Sequence, residues 1–401
     1  MILATVSINA VLGENGLIQQ AKKAKEMYEK SATAEEQAMN ELLGQFENVM
    51  QEPEGNIDPE TGWDLDKVDK VTSEDNIIVP EPKGYTVSTI AGEKSVSTGF
   101  VIKEGTNGAA TEGINEFVWV PVPEISDIYD EANKAGQLWN FDGTTSTKRT
   151  YPTTQNSGFR EPDVVTYASS GQDSASGSEN YADPNNLKQA GFDTENMNND
   201  LNKDGTVNAY DFKKQLQNEF NSMIESVRKY KGFYIGRYET GDLSKTEAVV
   251  QKNNSDIGGQ TWYTQYKLSK TIGANENVTS SMIWGCQWDA TLRWMQTSND
   301  VVVKNFPTNS EGKGNYDGTQ ADGRKPIPTG SILEYAVNNI YDMAGNVYDW
   351  TLEANYTLSR GVRGGYCLFP ASYFTASSRN SGGPTDSNVT YGSRSTLYVA
   401  L

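Results

Sequence analysis

Residues 1–12 are apolar and uncharged, about a dozen positions where roughly twenty are needed to cross a bilayer, and no basic flank precedes them. They read as the tail of a longer hydrophobic segment. Over residues 17–50 the apolar positions take up helical spacing: Ile18, Ala21, Ala24 and Tyr28, then Ala38, Leu42, Phe46 and Val49, form one stripe. Lys22, Lys23, Lys25 and Lys30 crowd the first half, and Glu35, Glu36 and Glu41 the second. This predicts an extended amphipathic helix, its stripe packed either on its own domain or on sister subunits of a fibre. Residues 51–76 are acidic and turn-rich, with Pro53, Gly55, Pro59 and Gly62, and read as a linker ending near Asn76.

Past the linker the hydrophobic runs shorten. Residues 77–79, 85–87, 98–102 and 116–122 are bounded by Gly and Pro and predict the strands of an opening sheet. From 126 to 199 Ser, Thr, Asn, Gly and Asp dominate without lasting periodicity. So long an irregular stretch reads as an insertion, pinned to the body by Tyr151, Phe159, Tyr167 and Tyr181. Helical spacing returns over 210–230, where Phe212, Leu216, Phe220, Met223, Ile224 and Val227 share a face. Residues 232–239 alternate as a strand does. Trp284, Trp288 and Trp294 fall among Met282, Ile283, Leu292 and Met295, a weight of apolar surface that suits a core face better than a stacking platform. Residues 301–324 read as a Gly/Asn/Asp loop. The pattern is that of an α+β protein with short sheets and long loops.

Composition narrows the chemistry. With 34 basic against 53 acidic side chains the net charge is -19, which favours cations and argues against nucleic acid or an anionic membrane surface as partner. The chain has no histidine, which removes imidazole metal sites and every His-based triad or dyad. Only Cys286 and Cys367 carry sulfur able to bridge. They either pair, closing a long loop worth about 4.5 kcal/mol in the chain-entropy picture, or stand as two buried thiols.

Two stretches suit a hard cation. Residues 200–211 place Asp200, Asn202, Asp204, Asn208 and Asp211 at loop positions one, three, five, nine and twelve, with Gly205 at six; Thr206 adds an oxygen at seven. The run resembles the calcium loops of dockerin modules, which also close on Asp. Dockerins carry two such loops, which speaks against cohesin as a partner here, and an ordinary Asx-rich turn is the other reading. The second stretch is Asp342-Met343-Ala344-Gly345-Asn346-Val347-Tyr348-Asp349-Trp350, where Gly345 and Asn346 tolerate positive φ and two carboxylates bracket a tight turn.

That second run, with Arg363-Gly364-Gly365 and Gly392-Ser393-Arg394 after it, resembles the core signature of the formylglycine-generating enzyme (sulfatase-modifying factor) family. Gly232-Phe233-Tyr234-Ile235-Gly236-Arg237-Tyr238-Glu239 and Trp284-Gly285-Cys286-Gln287-Trp288-Asp289-Ala290 resemble its earlier landmarks, in the same order. The resemblance implies a C-type lectin-like fold over residues 77–401, carrying the polar insertion 126–211. It also implies a calcium ion held by Asp342, the carbonyls of Gly345 and Val347, and Asp349; a buried turn is the alternative. Family enzymes hold copper through two cysteines of the terminal segment, where this chain offers Cys367 alone, so no copper and no catalysis are expected. Residues 13–25 resemble type IV pilin-like proteins just after their membrane helix.

The expectation is therefore a bacterial, extracellular, surface-displayed protein: a pilin-like helix over 1–50, the linker 51–76, and a calcium-stabilised domain that binds a protein or glycan through Tyr366, Phe369, Tyr373 and Phe374. Membrane contact would run only through the missing hydrophobic start, and homo-oligomers or a filament would form through the helix. A filament subunit and an oxidase are the alternatives; for the four aromatic residues the alternative is plain core.

Overall fold

The computed structural model of the chain describes residues 22, 23, 25, 55–152, 158–162, 183–317, 324–355 and 359–401. The chain divides into two units, Met1–Ile57 and Asp58–Leu401. Lys22, Lys23 and Lys25 are helical and exposed. The rest of the helix expected over 17–50, with Tyr167 and Tyr181, lies outside the described residues.

The second unit begins with β1 (Val68–Thr72), β2 (Ile78–Pro82), β3 (Tyr85–Val87), β4 (Val101–Glu104) and β5 (Glu116–Pro121). Two short hairpins follow, β6 (Tyr129–Asp130) with β7 (Ala135–Gly136), and β8 (Trp139–Asp142) with β9 (Thr145–Lys148). Next come β10 (Phe159–Arg160), α1 (Pro184–Gln189), α2 (Ala209–Tyr230), β11 (Gly232–Gly236) and α3 (Trp262–Ser269). After β12 (Val278–Met282) come α4 (Gly285–Gln296) and α5 (Val301–Asn305). The last strands are β13 (Tyr348–Asn355), β14 (Ser359–Arg363), β15 (Arg379–Gly382), β16 (Tyr391–Ser393) and β17 (Ser395–Val399).

These elements make an α+β arrangement. One sheet of six strands runs β12-β17-β11-β5-β4-β3, every pairing antiparallel. A second of five strands is ordered β10-β13-β14-β15, with β16 parallel to β13. The central strands of the first sheet are apolar at successive positions because both faces are covered. Val118 and Val120 of β5 and Phe233 and Ile235 of β11 enter one hydrophobic cluster, whereas Phe117, Trp119 and Tyr234 enter another. Helix α2 packs on β11 and β17, and α4 touches both β5 and β13, joining the two sheets. The tryptophans expected in the core are there: Trp284, Trp288 and Trp294 are buried.

The sequence-based expectation needs three corrections. The linker 51–76 ends earlier, because residues 58–76 belong to the folded unit. β1 pairs along its length with β2, Trp63 Nε1 donates to the Lys229 carbonyl at 3.1 Å, and Trp63 and Val68 form a cluster with Tyr230 and Val399. The acidic side chains that suggested a linker are used locally, as in the 2.8 Å ion pair of Asp58 with Lys70. The insertion 126–211 is also better rooted than its polarity implied, since Ile128, Leu138, Leu187 and Phe192 are core residues. Finally, the loop expected over 301–324 opens with α5, whose N-terminal N–H groups at Val302 and Val303 are capped by the Asp300 carboxylate.

Candidate functional site

The turn from Asp342 to Asp349 is built on left-handed residues: φ is 53° at Asp342, 76° at Gly345 and 58° at Asn346. Position 345 admits only glycine, because a Cβ there would stand 2.5 Å from the Asn315 carbonyl oxygen. Asn346 ties the turn to its surroundings. Its Nδ2 donates to Glu239 Oε2 at 2.6 Å, and its Oδ1 accepts from Asn315 Nδ2 at 3.0 Å and from the Ile327 N–H at 2.9 Å. The Asp342 carboxylate accepts from the Thr329 hydroxyl at 2.9 Å and the Gly330 N–H at 2.8 Å.

Asp349 is different. It is buried, neither carboxylate oxygen meets hydrogen-bond geometry, and its Oδ2 forms a 3.5 Å ion pair with Arg394 Nε. The Arg394 guanidinium is itself spent on the carbonyls of Gly236 and Tyr341, at 2.9 and 2.8 Å. Burial pushes the Asp349 carboxyl up to about 6, against the pull of Arg394. Burial also raises Asp342, and burial together with Asp342 and Asp349 holds Glu239 well above the ordinary carboxylate range. Asp342, Gly345 and Val347 thus lie in one turn, Asp349 follows in β13, and Glu239 joins them from the segment after β11. In the sequence Glu239 stands out only as part of a landmark, and its one mark as a site residue is a carboxylate closing an apolar run. Among the described residues no group of three or more Cys, Asp or Glu side chains is placed to hold a metal ion. A cation in this turn would therefore have to draw on carbonyls as well. The available donors are oxygens, the kind a hard cation takes, and Arg394 beside Asp349 is the positive charge it would face.

The loop 200–211 leads into α2 as expected. Asp200 accepts from the N–H groups of Asp204 and Gly205 at 3.1 and 2.9 Å, Asn202 Oδ1 accepts from the Asp204 N–H at 3.0 Å, and Asp204 accepts from the Thr206 N–H at 2.9 Å. Asp211 is buried and takes the N–H groups of Leu201, Asn202 and Asn208 at 2.8, 3.0 and 2.9 Å. With Asn208, whose Oδ1 accepts from the Tyr210 N–H, it makes the reciprocal cap of α2. Positive φ at Lys203 and Gly205 bends the loop around these oxygens.

Cys286 and Cys367 are free and buried, in unlike surroundings. Cys286 sits in the first turn of α4, its N–H held by Glu161, and burial plus that carboxylate raise its thiol strongly. Cys367 donates its N–H to the Asn346 carbonyl at 3.0 Å, and burial pushes its thiol up to about 11. A buried ionic network beside α4, absent from the sequence reading, joins Asp289 to Arg363 and Arg379, and Arg379 to Glu353 at 3.0 Å.

After the Gly364-Gly365 step the chain lays out aromatic rings from the core to the surface. Trp350 stacks on Tyr391 at 4.9 Å, Tyr391 on Tyr348 at 5.8 Å, and Tyr348 meets Tyr366 at 4.3 Å. Beyond them Phe374 packs edge-on to Phe369 at 5.4 Å, and Phe369 meets Tyr373 at 6.1 Å. Tyr366 and Phe374 are half-buried against the core, while Phe369 is 39% and Tyr373 72% exposed. The four candidate residues therefore divide: two anchors and two exposed tips.

No family model matches the chain, and no curated protein matches it either. Among solved structures, the crystal structure of CarF is similar over 43% of this chain and 87% of its own, at 12% identity and a TM-score of 0.31. PvdO from Pseudomonas aeruginosa is similar over 43% of this chain and 82% of its own, at 16% identity and a TM-score of 0.30.

Proposed function

We propose that residues 58–401 form a non-catalytic ligand-binding domain of the C-type lectin-like, formylglycine-generating-enzyme-like kind, displayed at the bacterial surface on a pilin-like N-terminal helix. The observation that carries this reading is the aromatic series ending in exposed Phe369 and Tyr373. Aromatic tips on a scaffolded loop give contact area to a protein or a sugar ring at small entropic cost. The loop is braced for that role: the Asp317 N–H donates to the Phe369 carbonyl at 3.1 Å, and Gly365 leaves the space that Phe374 fills. Calcium is the proposed stabiliser, at the turn Asp342–Asp349, at the loop 200–211, or at both. The unlike surroundings of Cys286 and Cys367 support a reading without a copper centre.

Glycan and protein arrays probed with the labelled full chain test the proposal. Phe369→Ala combined with Tyr373→Ala is expected to lower binding at the bound features at least about tenfold, as loss of central aromatic contacts does, with the melting midpoint unchanged. Undiminished binding by that variant, or an array without a bound feature, overturns it.

A further inference from the structure

A cavity of about 540 Å³ opens between the β1–β2 hairpin, β5 and the C-terminal ends of α2 and α4, and it shares no residue with the aromatic tips above. Its size is that of a small-molecule site. Each hydrophobic cluster of the unit supplies part of the wall: Val122, Ala290 and Trp294 from the first, Trp119 from the second, Tyr230 from the third. Ile78, 39% exposed, stands at the mouth. The walls are thus mostly apolar, with the rings of Trp119, Tyr230 and Trp294 among them, and the buried Tyr230 hydroxyl is a polar group on them.

The polar groups at the rim are not equivalent. Arg293 is neutralised, since it pairs with Asp127 and lies 3.5 Å over the Trp139 ring. Lys231 is exposed and takes part in no ion pair among the described residues. Its backbone is fixed in the left-handed conformation that ends α2, its N–H donating to the Val227 carbonyl and its carbonyl accepting from the Val122 N–H, both at 2.8 Å. A lysine at the edge of an apolar cavity, its backbone held where α2 ends, is complementary to a ligand that is apolar with one negative group.

We propose that this cavity binds a small organic anion with an aromatic body, an aryl carboxylate, whose rings lie against Trp119 and Trp294 and whose carboxylate meets Lys231. Calorimetric titration of the full chain with naphthoate, and with naphthamide as the uncharged counterpart, tests it. Naphthoate is expected to bind saturably and more tightly than naphthamide. Lys231→Asn keeps a residue that tolerates the left-handed backbone and removes the charge. It is expected to weaken naphthoate about fivefold, the scale of an exposed ion pair, and to leave naphthamide and the melting midpoint unchanged. Ala290→Leu, which narrows the cavity, is expected to weaken both compounds. Absence of saturable naphthoate binding, equal affinity for the two compounds, or naphthoate binding untouched by Lys231→Asn overturns the proposal.

Discussion

Glu161 reaches the first turn of α4, where its two carboxylate oxygens take the N–H groups of Gly285 and Cys286 at 2.7 and 2.5 Å. Helix N-termini favour a negative charge. Here burial, and after it the Glu353 carboxylate, wins: the Glu161 carboxyl is pushed up to about 8. The folded protein therefore holds a proton that the unfolded chain has already lost, so this group's stabilisation is full below the ordinary glutamate pKa and is lost as pH rises through about 8. Urea unfolding is expected to show a loss of about 2 kcal/mol between about pH 6 and pH 8, and Glu161→Gln is expected to flatten that slope. A slope identical in the variant would remove Glu161 as its source. At this scale the sequence was legible wherever a residue's identity forces its geometry. Gly345 and Asn346, residue types that tolerate positive φ, both adopt it. Glu161 and Glu239 were not read as site residues, because their meaning depends on which distant main chain they meet, and spacing carries no such information.

Among elements, α2 is the clearest in the sequence because six apolar residues at three- and four-residue spacing leave one face to bury, and four of the six are fully buried while Leu216 and Ile224 are 2% exposed. Strands were legible in number more than in extent: the run read over 98–102 forms β4 at Val101–Glu104, where pairing with β5 sets the limits. The apolar run over 281–295 hid a break, since β12 ends at Met282 and α4 starts at Gly285. The loop before α2 yields a prediction that separates its two readings. Asp211 is buried and caps the helix whether or not a cation binds, so Asp211→Ala is expected to cost about 2 kcal/mol with chelator present. Asp204 is exposed, so Asp204→Ala is expected to be close to neutral in chelator. If calcium occupies the loop, added calcium raises the melting midpoint of the parent chain and raises that of Asp204→Ala less. Equal gains in both proteins would assign the calcium effect elsewhere, and no gain in either would leave the loop a plain turn.

For the whole molecule, the hydrophobic clusters among the described residues draw only on positions from Trp63 to Val399. Residues 58–401 thus hold their own core, and a fragment of that length is expected to melt cooperatively within about two degrees of the full chain by calorimetry, as an independent domain does. The stripe read over 17–50 has a different consequence, because a helix that buries its apolar face only against sister chains makes assembly depend on those residues. Chains of net charge -19 repel one another, and salt screens that repulsion, over about 10 Å at 0.1 M and less above it. Sedimentation of the full chain is therefore expected to shift toward larger species as salt rises, while the fragment stays monomeric throughout. A full chain that remains monomeric at every salt concentration would sink the filament reading, and a fragment that assembles alongside it would move the contact onto the folded unit.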